Sequence, residues 1–370
     1  MAGKTRQPGS ASSPTLAGLQ VARGLAALSV TLHHALETSN GVPGSFSPDW
    51  LTTGGAGGVD IFFVISGFIM AHTSFRPGRP SPGAAEFLQR QAARIYPLYW
   101  LACLTMLSLM ALGFFQSRIL SPGDIFLALA LLPGGQPVIG VAWTLVYEVY
   151  FYLIFAACLA AGRPSLVLCA ASAVIAALLA LAQGLPESGV QRFLSDPIPL
   201  EFLLGMGLAS AYPHIRETLK GALVGSLLVF FGLALLYAAP LVVPHETTHG
   251  LESWARVAAW GTAGLAIVAG FLALPERAGR LARWLKGLGD ASYALYLTHF
   301  FVLMGYGLAL RKQAVAELPQ YLLVIPIVVL ACLVGAAAHV AAERPLLRLA
   351  RRAIDRTAPR RRAETVVTAA

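Results

Sequence analysis

Residues 57–75 read GGVDIFFVISGFIMAHTSF, nineteen positions of which only Asp60 and His72 can carry charge. At a rise of about 1.5 Å per residue, such a run forms a helix long enough to cross most of a bilayer's hydrocarbon layer. Comparable apolar runs fall near 16–37, 95–115, 141–161, 165–183, 197–211, 222–239, 254–274, 290–310 and 320–342. The composition agrees, since the 370 residues are 56% hydrophobic and only 12% charged. A soluble domain carries about 25% charged residues. The expected fold is an all-α membrane protein, a bundle of about ten transmembrane helices. One further apolar stretch, GDIFLALALLP at 123–133, is too short to span and is expected to be re-entrant or interfacial. The expected divisions are a tail at 1–15, a transmembrane domain at 16–348 and a basic tail at 349–370.

The net charge is +9. Such a balance invites a nucleic-acid partner, but the distribution of the charges argues for a membrane instead. With the amino terminus in the cytoplasm, 1–15, 76–94, 162–164, 212–220, 275–288 and 343–370 hold 21 of the Lys and Arg residues. The loops on the other side hold four, and Arg23 and Arg256 lie within spans. This asymmetry fits an inner-membrane protein with both termini cytoplasmic. It places Arg79, Arg280 and Thr365 inside, and Ser45 and His249 outside. The tail from Arg344 begins as a basic amphipathic stretch suited to an anionic leaflet. The first run is too long for a signal peptide and is expected to be a retained span. The four cysteines, Cys103, Cys158, Cys169 and Cys332, lie in apolar runs without metal-ligand spacing, so no metal is expected.

Ionisable residues inside spans cost roughly 2.5–3.5 kcal/mol each near the centre, so each is a functional candidate. Arg23 and His34 are eleven residues apart, almost three helical turns, and therefore face the same side about 16 Å apart. His33 points about 100° away. Asp60 is expected at the depth of His34. Glu148 has Thr144 and Tyr152 on its own face, and Glu201 lies near the outer end of another span. Ser292, Tyr296 and His299 make an i, i+4, i+7 stripe. Arg23, Arg90 and Arg94 gather in the cytoplasmic half, where guanidinium groups suit a phosphate-bearing donor. A histidine beside a carboxylate in the outer half suits general-base removal of a hydroxyl proton. Interhelical pairing is an equal reading for Glu201, Ser292 and Tyr296, while His72 and His339 read as structural.

The blocks LQVARGLAALSVTLHHA, GGVDIFFVISGFIM, FLQRQAARIYPLYW, WTLVYEVYFYLIF, EFLLGMGLA, LGDASYALYLTHFF and AERPLLR follow one another in order from Leu19 to Arg348. Together they resemble acyltransferase family 3, the integral-membrane O-acyltransferases, and most of all its exopolysaccharide-acetylating members. The resemblance implies a ten-helix bundle, an acyl-coenzyme A donor (usually acetyl-CoA) and a glycan or lipid-linked saccharide acceptor. It makes His34 the catalytic histidine in an Arg-x10-His pattern with Arg23, and assigns the acidic positions to Asp60 and Glu148. Tyr296 and His299 fall on its SY-x-x-YL-x-H block. The family's Arg-x-x-Arg places Arg94 with the donor. Gln91 stands at the other position, and Arg90, one residue earlier, is expected to substitute.

The mechanism expected is donor docking at Arg90, Arg94 and Arg23, then deprotonation of the acceptor by His34, oriented by Asp60 or Glu148. Direct transfer and an acyl-histidine intermediate both fit the residues. The competing class is a transporter or flippase for a lipid-linked sugar, which would use the same charges as head-group contacts.

Overall fold

The computed structural model describes residues 14–41, 47–76, 78, 80–114, 119–246, 250–251, 253–275 and 279–357. Most of both expected tails, together with Ser45, Arg79, His249 and Thr365, lies outside the described residues. In chain order the first helices are α1 (Pro14–Asn40), α2 (Asp49–Ala56), α3 (Gly58–Ser74), α4 (Ala84–Ala111) and α5 (Pro122–Ala130). There follow α6 (Trp143–Cys158), α7 (Pro164–Ala182), α8 (Gly189–Ser195), α9 (Leu200–Leu219) and α10 (Ala222–Val242). The rest are α11 (Ser253–Arg256), α12 (Thr262–Ala273), α13 (Arg280–Asp290), α14 (Ser292–Leu310), α15 (Gln313–Ala316), α16 (Gln320–Ala338) and α17 (Arg344–Thr357). The one strand pair among the described residues is a two-residue hairpin, His245–Glu246 against Gly250–Leu251.

Among the described residues, eight helical stretches are long and apolar enough to cross a membrane, which makes this an all-α multi-pass membrane protein. Helices α1 and α9 also coincide with expected spans, but they fall outside that set. Their positions explain it. Helix α1 is packed against α2, α3, α12, α13, α14 and α16, and α9 against α3, α7 and α12. A helix enclosed by other helices has little contact with lipid, so it can carry Arg23, His33, His34 and Glu37, or Glu201, where a peripheral helix cannot.

Helices α3 and α9 touch backbone to backbone. A Cβ added at Gly67 would stand 2.0 Å from the carbonyl oxygen of Phe202, and one at Gly205 would stand 2.0 Å from that of Val64. Small residues at both contacts allow this approach. Phe202 then stacks between Phe63 and Phe151, with ring centroids 4.7 and 4.4 Å away.

The short segment folds as α5 and is pinned to α4. Ser121 and Asp124 form a capping box at the start of α5. At its other end, three aromatic side chains of α4 donate to three successive carbonyls, the first of which also accepts from the Leu131 backbone. Tyr96 donates to Ala130 at 3.0 Å, Tyr99 to Ala128 at 2.8 Å and Trp100 to Leu129 at 2.9 Å. Irregular backbone at membrane depth needs such partners.

The basic stretch from Arg344 is helical. Helix α16 runs through a π-helical turn, His339–Glu343, directly into α17, which packs on α4. The basic stretch is thus docked helix as far as Thr357, because its apolar face has a protein neighbour.

Gly205→Val is expected to abolish the folded state, since overpacking against rigid backbone costs well over the roughly 1–3 kcal/mol of an ordinary core insertion. Gly207→Val, two residues along, has open space around the new Cβ and is expected to be tolerated. Fluorescence-detected size exclusion and thermal melts of the two variants check this.

Candidate active site

The polar stripe of α1 meets the polar stripe of α14. At one end Arg23 Nη2 donates to Ser292 Oγ at 2.8 Å. About three turns away the rings of His34 and His299 stack, with centroids 5.5 Å apart. Each end of this seam opens on a cavity.

The first cavity, about 70 Å³, is lined by Arg23, Gln91, Arg94, Glu148, Tyr152 and Ser292, among others. Glu148 accepts hydrogen bonds from Tyr152 and, at 3.4 Å, from Ser66. Arg94 has no hydrogen bond or ion pair among the described residues, so its donor fork is open to the cavity. The second cavity, about 420 Å³, is lined by His34, Glu37, Thr38, Trp143 and His299 with apolar neighbours. His34 Nδ1 lies 3.1 Å from Glu37 Oε2. His299 Nδ1 lies 3.0 Å from the carbonyl of Leu295. A carbonyl only accepts, so Nδ1 carries the proton and Nε2 is left as a bare acceptor. That Nε2 is buried and has no partner.

A hydrogen-bonded knot separates the two cavities. The Tyr296 hydroxyl is shared with Thr144 Oγ1 at 2.7 Å and reaches the Val141 carbonyl. Tyr296 and Thr144 line the first cavity and Val141 the second. His33 is buried beside the seam, with Nδ1 2.7 Å from the Thr52 carbonyl on α2. That bond ties α1 to α2, as its different helical phase suggests.

Four expected placements change. Asp60 is not the partner of His34. Its two oxygens accept from Arg256 Nε and Nη2, both at 2.8 Å, in a buried fork that bridges α3 and α11. Glu148 also stands away from His34, at the arginine-lined cavity. Arg90 does not join Arg94. Its side chain is 66% exposed and pairs with Glu86 one turn back, while Gln91 faces the cavity. Glu201 is buried with neither carboxylate oxygen hydrogen-bonded, and it lines neither cavity.

Glu37 escaped the sequence reading. It sits three positions beyond His34, a spacing that puts the side chains together on a helix. Arg256, expected within a span but without a named partner, is flanked by the rings of Trp143 and Trp260 at 5.5 and 5.2 Å. His33, His34 and Glu37 also offer three ligand atoms within 4.8 Å of one another, a set whose types and spacing suit a small cation.

One seam of membrane helices thus carries buried guanidinium groups at one end and an imidazole at the other. The Acyltransferase domain model matches residues 16–337, and the chain belongs to that family of membrane acyltransferases. It is 32% identical over 311 residues to the exopolysaccharide production protein ExoZ of Rhizobium meliloti (strain 1021), covering 80% of this chain and 91% of that one. It is 28% identical over 351 residues to the acyltransferase MdmB of Streptomyces mycarofaciens, covering 84% and 85%. Protein 2 in the picA locus of Rhizobium radiobacter is 30% identical over 158 residues, covering 36% of this chain and 77% of that one. No solved structure matches the chain.

Asp60→Asn strips Arg256 of a fully buried counter-ion and is expected to destabilise the protein by about 3–5 kcal/mol. Asp60→Asn combined with Arg256→Gln removes both charges and is expected to recover much of that loss. Thermal melts of the single and double variants, in the same detergent, check the non-additivity.

Proposed function

We propose that the chain transfers an acyl group, in the first instance acetyl, from acyl-coenzyme A to a hydroxyl of a cell-surface or exopolysaccharide glycan or its lipid-linked precursor. The observation that carries the reading is the pair of unlike cavities along α1 and α14, one with the open guanidinium of Arg94, the other with His34 and Glu37. The likeness to the Rhizobium exopolysaccharide production protein supports the choice of acceptor. The charge asymmetry of the loops supports an inner-membrane location with both termini cytoplasmic.

In this reading the donor's phosphates meet Arg94 and Arg23 from the cytoplasmic side. The thioester end passes the Tyr296–Thr144–Val141 knot to reach His34. With Glu37 ionised, His34 Nδ1 donates to it, which leaves Nε2 as the base. Nε2 takes the acceptor hydroxyl's proton while the oxygen attacks the thioester carbonyl. The carbon–sulfur bond breaks, coenzyme A leaves as thiolate, and the imidazolium returns the proton to it. Glu37 stabilises the imidazolium in between. The three-residue set at His33, His34 and Glu37 works here without a metal. Transfer that is lost in EDTA and restored by Zn²⁺ would reassign it.

His34→Ala is expected to lower transfer by roughly 10²–10⁴-fold with donor binding intact. His33→Ala is expected to lose far less at matched amounts of folded protein. The measurement is acylated glycan by mass spectrometry together with coenzyme A release. Wild-type activity in His34→Ala would remove this mechanism, and saccharide movement without coenzyme A release would favour a flippase.

Arg94→Ala is expected to weaken acyl-coenzyme A binding about tenfold or more, the equivalent of one charge-assisted hydrogen bond of roughly 1.5–3 kcal/mol. Arg90→Ala is expected to stay within about twofold, since that side chain is held by Glu86 outside the cavity. Calorimetric titration of each purified variant with acetyl-CoA separates the two.

A further inference from the structure

A third cavity, of about 650 Å³, lies between the 132–137 loop, α5, the start of α6 and α8. Its size is in the range of small-ligand sites, roughly 300–1,000 Å³. We propose that this cleft holds a saccharide unit of the acceptor glycan and presents its neighbouring hydroxyl to the His34 cavity. The inference rests on the acyltransferase reading above and names the acceptor's seat.

The chemistry of the walls is the first argument. Trp143, Tyr147 and Phe193 supply an aromatic platform, with Tyr147 and Phe193 stacked at 4.4 Å and Trp143 edge-on to Tyr147 at 6.0 Å. Asp124, Gln136, Arg192 and Asp196 supply polar groups around it. A pyranose has apolar C–H faces and a rim of hydroxyls, so it takes flat rings against its faces and planar forked side chains at its edge.

The polar groups are held in place but not used up. Asp124 Oδ1 accepts from the backbone of Gln136 at 2.8 Å, which closes the 132–137 loop onto α5, while Oδ2 accepts from Ser121. These donors, the Gln136 N–H foremost, hold the Asp124 carboxyl below its ordinary range. Asp196 accepts from Tyr147 at 3.1 Å and from the Ile198 backbone at 3.0 Å. Each carboxylate keeps lone pairs for a hydroxyl. Arg192 and Gln136 are exposed, and neither the guanidinium nor the side-chain amide has a hydrogen bond among the described residues.

Placement is the second argument. Trp143 lines this cleft and the His34 cavity alike. In the short 3₁₀ turn before it, Ala142 lines the cleft and Val141 lines the His34 cavity. One turn of backbone therefore separates the two spaces. The cleft's residues in 124–137 and 189–196 belong to loops placed opposite the cytoplasm by charge.

The probe is the repeating-unit oligosaccharide released from the surface polysaccharide of a strain lacking this chain, both free and on its lipid carrier. The full-length protein in nanodiscs is assayed with acetyl-CoA. Arg192→Gln, Gln136→Ala and Phe193→Leu are each expected to raise KM for the oligosaccharide about tenfold or more. Their kcat and their KM for acetyl-CoA are expected to stay within about twofold. A KM effect on one form only identifies whether the free or the carrier-linked saccharide is the one seated. Should Phe193→Leu fold poorly, the two exposed side chains decide the matter. An unchanged oligosaccharide KM in Arg192→Gln and Gln136→Ala overturns the cleft assignment and leaves the acyltransferase reading standing. Absence of transfer by the wild-type chain to either form overturns that reading, and this inference with it.

Discussion

An ionised side chain within an apolar layer needs a partner or a solvated space, and this requirement organises the bundle. Asp60 and Arg256 satisfy it by pairing, in a two-bond fork buried between helices. Each uses the other's hydrogen-bonding capacity, and two tryptophan faces cover the cation. Arg94 satisfies it differently, by facing a cavity that also exposes Glu148. The first arrangement is closed and joins helices. The second is open and has unfilled donors, which is what a site for an anionic ligand requires.

The same requirement fixes where the polar helices stand. Helix α1 carries four ionisable residues from Arg23 onward and is ringed by neighbours. Glycine contacts let those neighbours close in. Gly289 would place a Cβ 1.9 Å from the Gln20 carbonyl, and Gly24 one 2.5 Å from that of Leu285, so α13 lies directly on α1. With α1 shielded by protein on most sides, its Arg23–His34 face can be shared with α14 without exposing charge to lipid. Packing by small residues and the placement of the site are therefore one arrangement seen at two scales.

Helical phase made part of this legible in the sequence. Eleven residues between Arg23 and His34, and seven between Ser292 and His299, predict two matched stripes, and the two stripes face each other in the structure. Most of the spans were legible too, from run length. Partners distant in sequence were not. Asp60 and Arg256 are 196 positions apart, and nothing in either local sequence names the other. Depth alone put Asp60 beside His34, because depth ignores azimuth around the helix. The substitution of Arg90 for the residue at Gln91 failed for the same reason. One residue along a helix turns the side chain by about 100°, enough to exchange a cavity for solvent. Glu37 was within reach of the i, i+3 rule and was overlooked because it falls at the end of the apolar run.

The knot at Tyr296 bears on how the two chemistries coexist. A donor site that faces one side of the membrane and an acceptor site that faces the other would leak protons and small solutes if a polar channel joined them. Tyr296, Thr144 and the Val141 carbonyl bond to one another, so their polar atoms are satisfied when the path is closed. A thin acyl thioester arm can displace a tyrosine ring by rotamer change, whereas a solvated sugar needs a far wider opening. This size argument sets the acyltransferase reading apart from the flippase reading, because the site proposed here moves only the acyl end of its donor through the bundle and leaves the glycan on its own side.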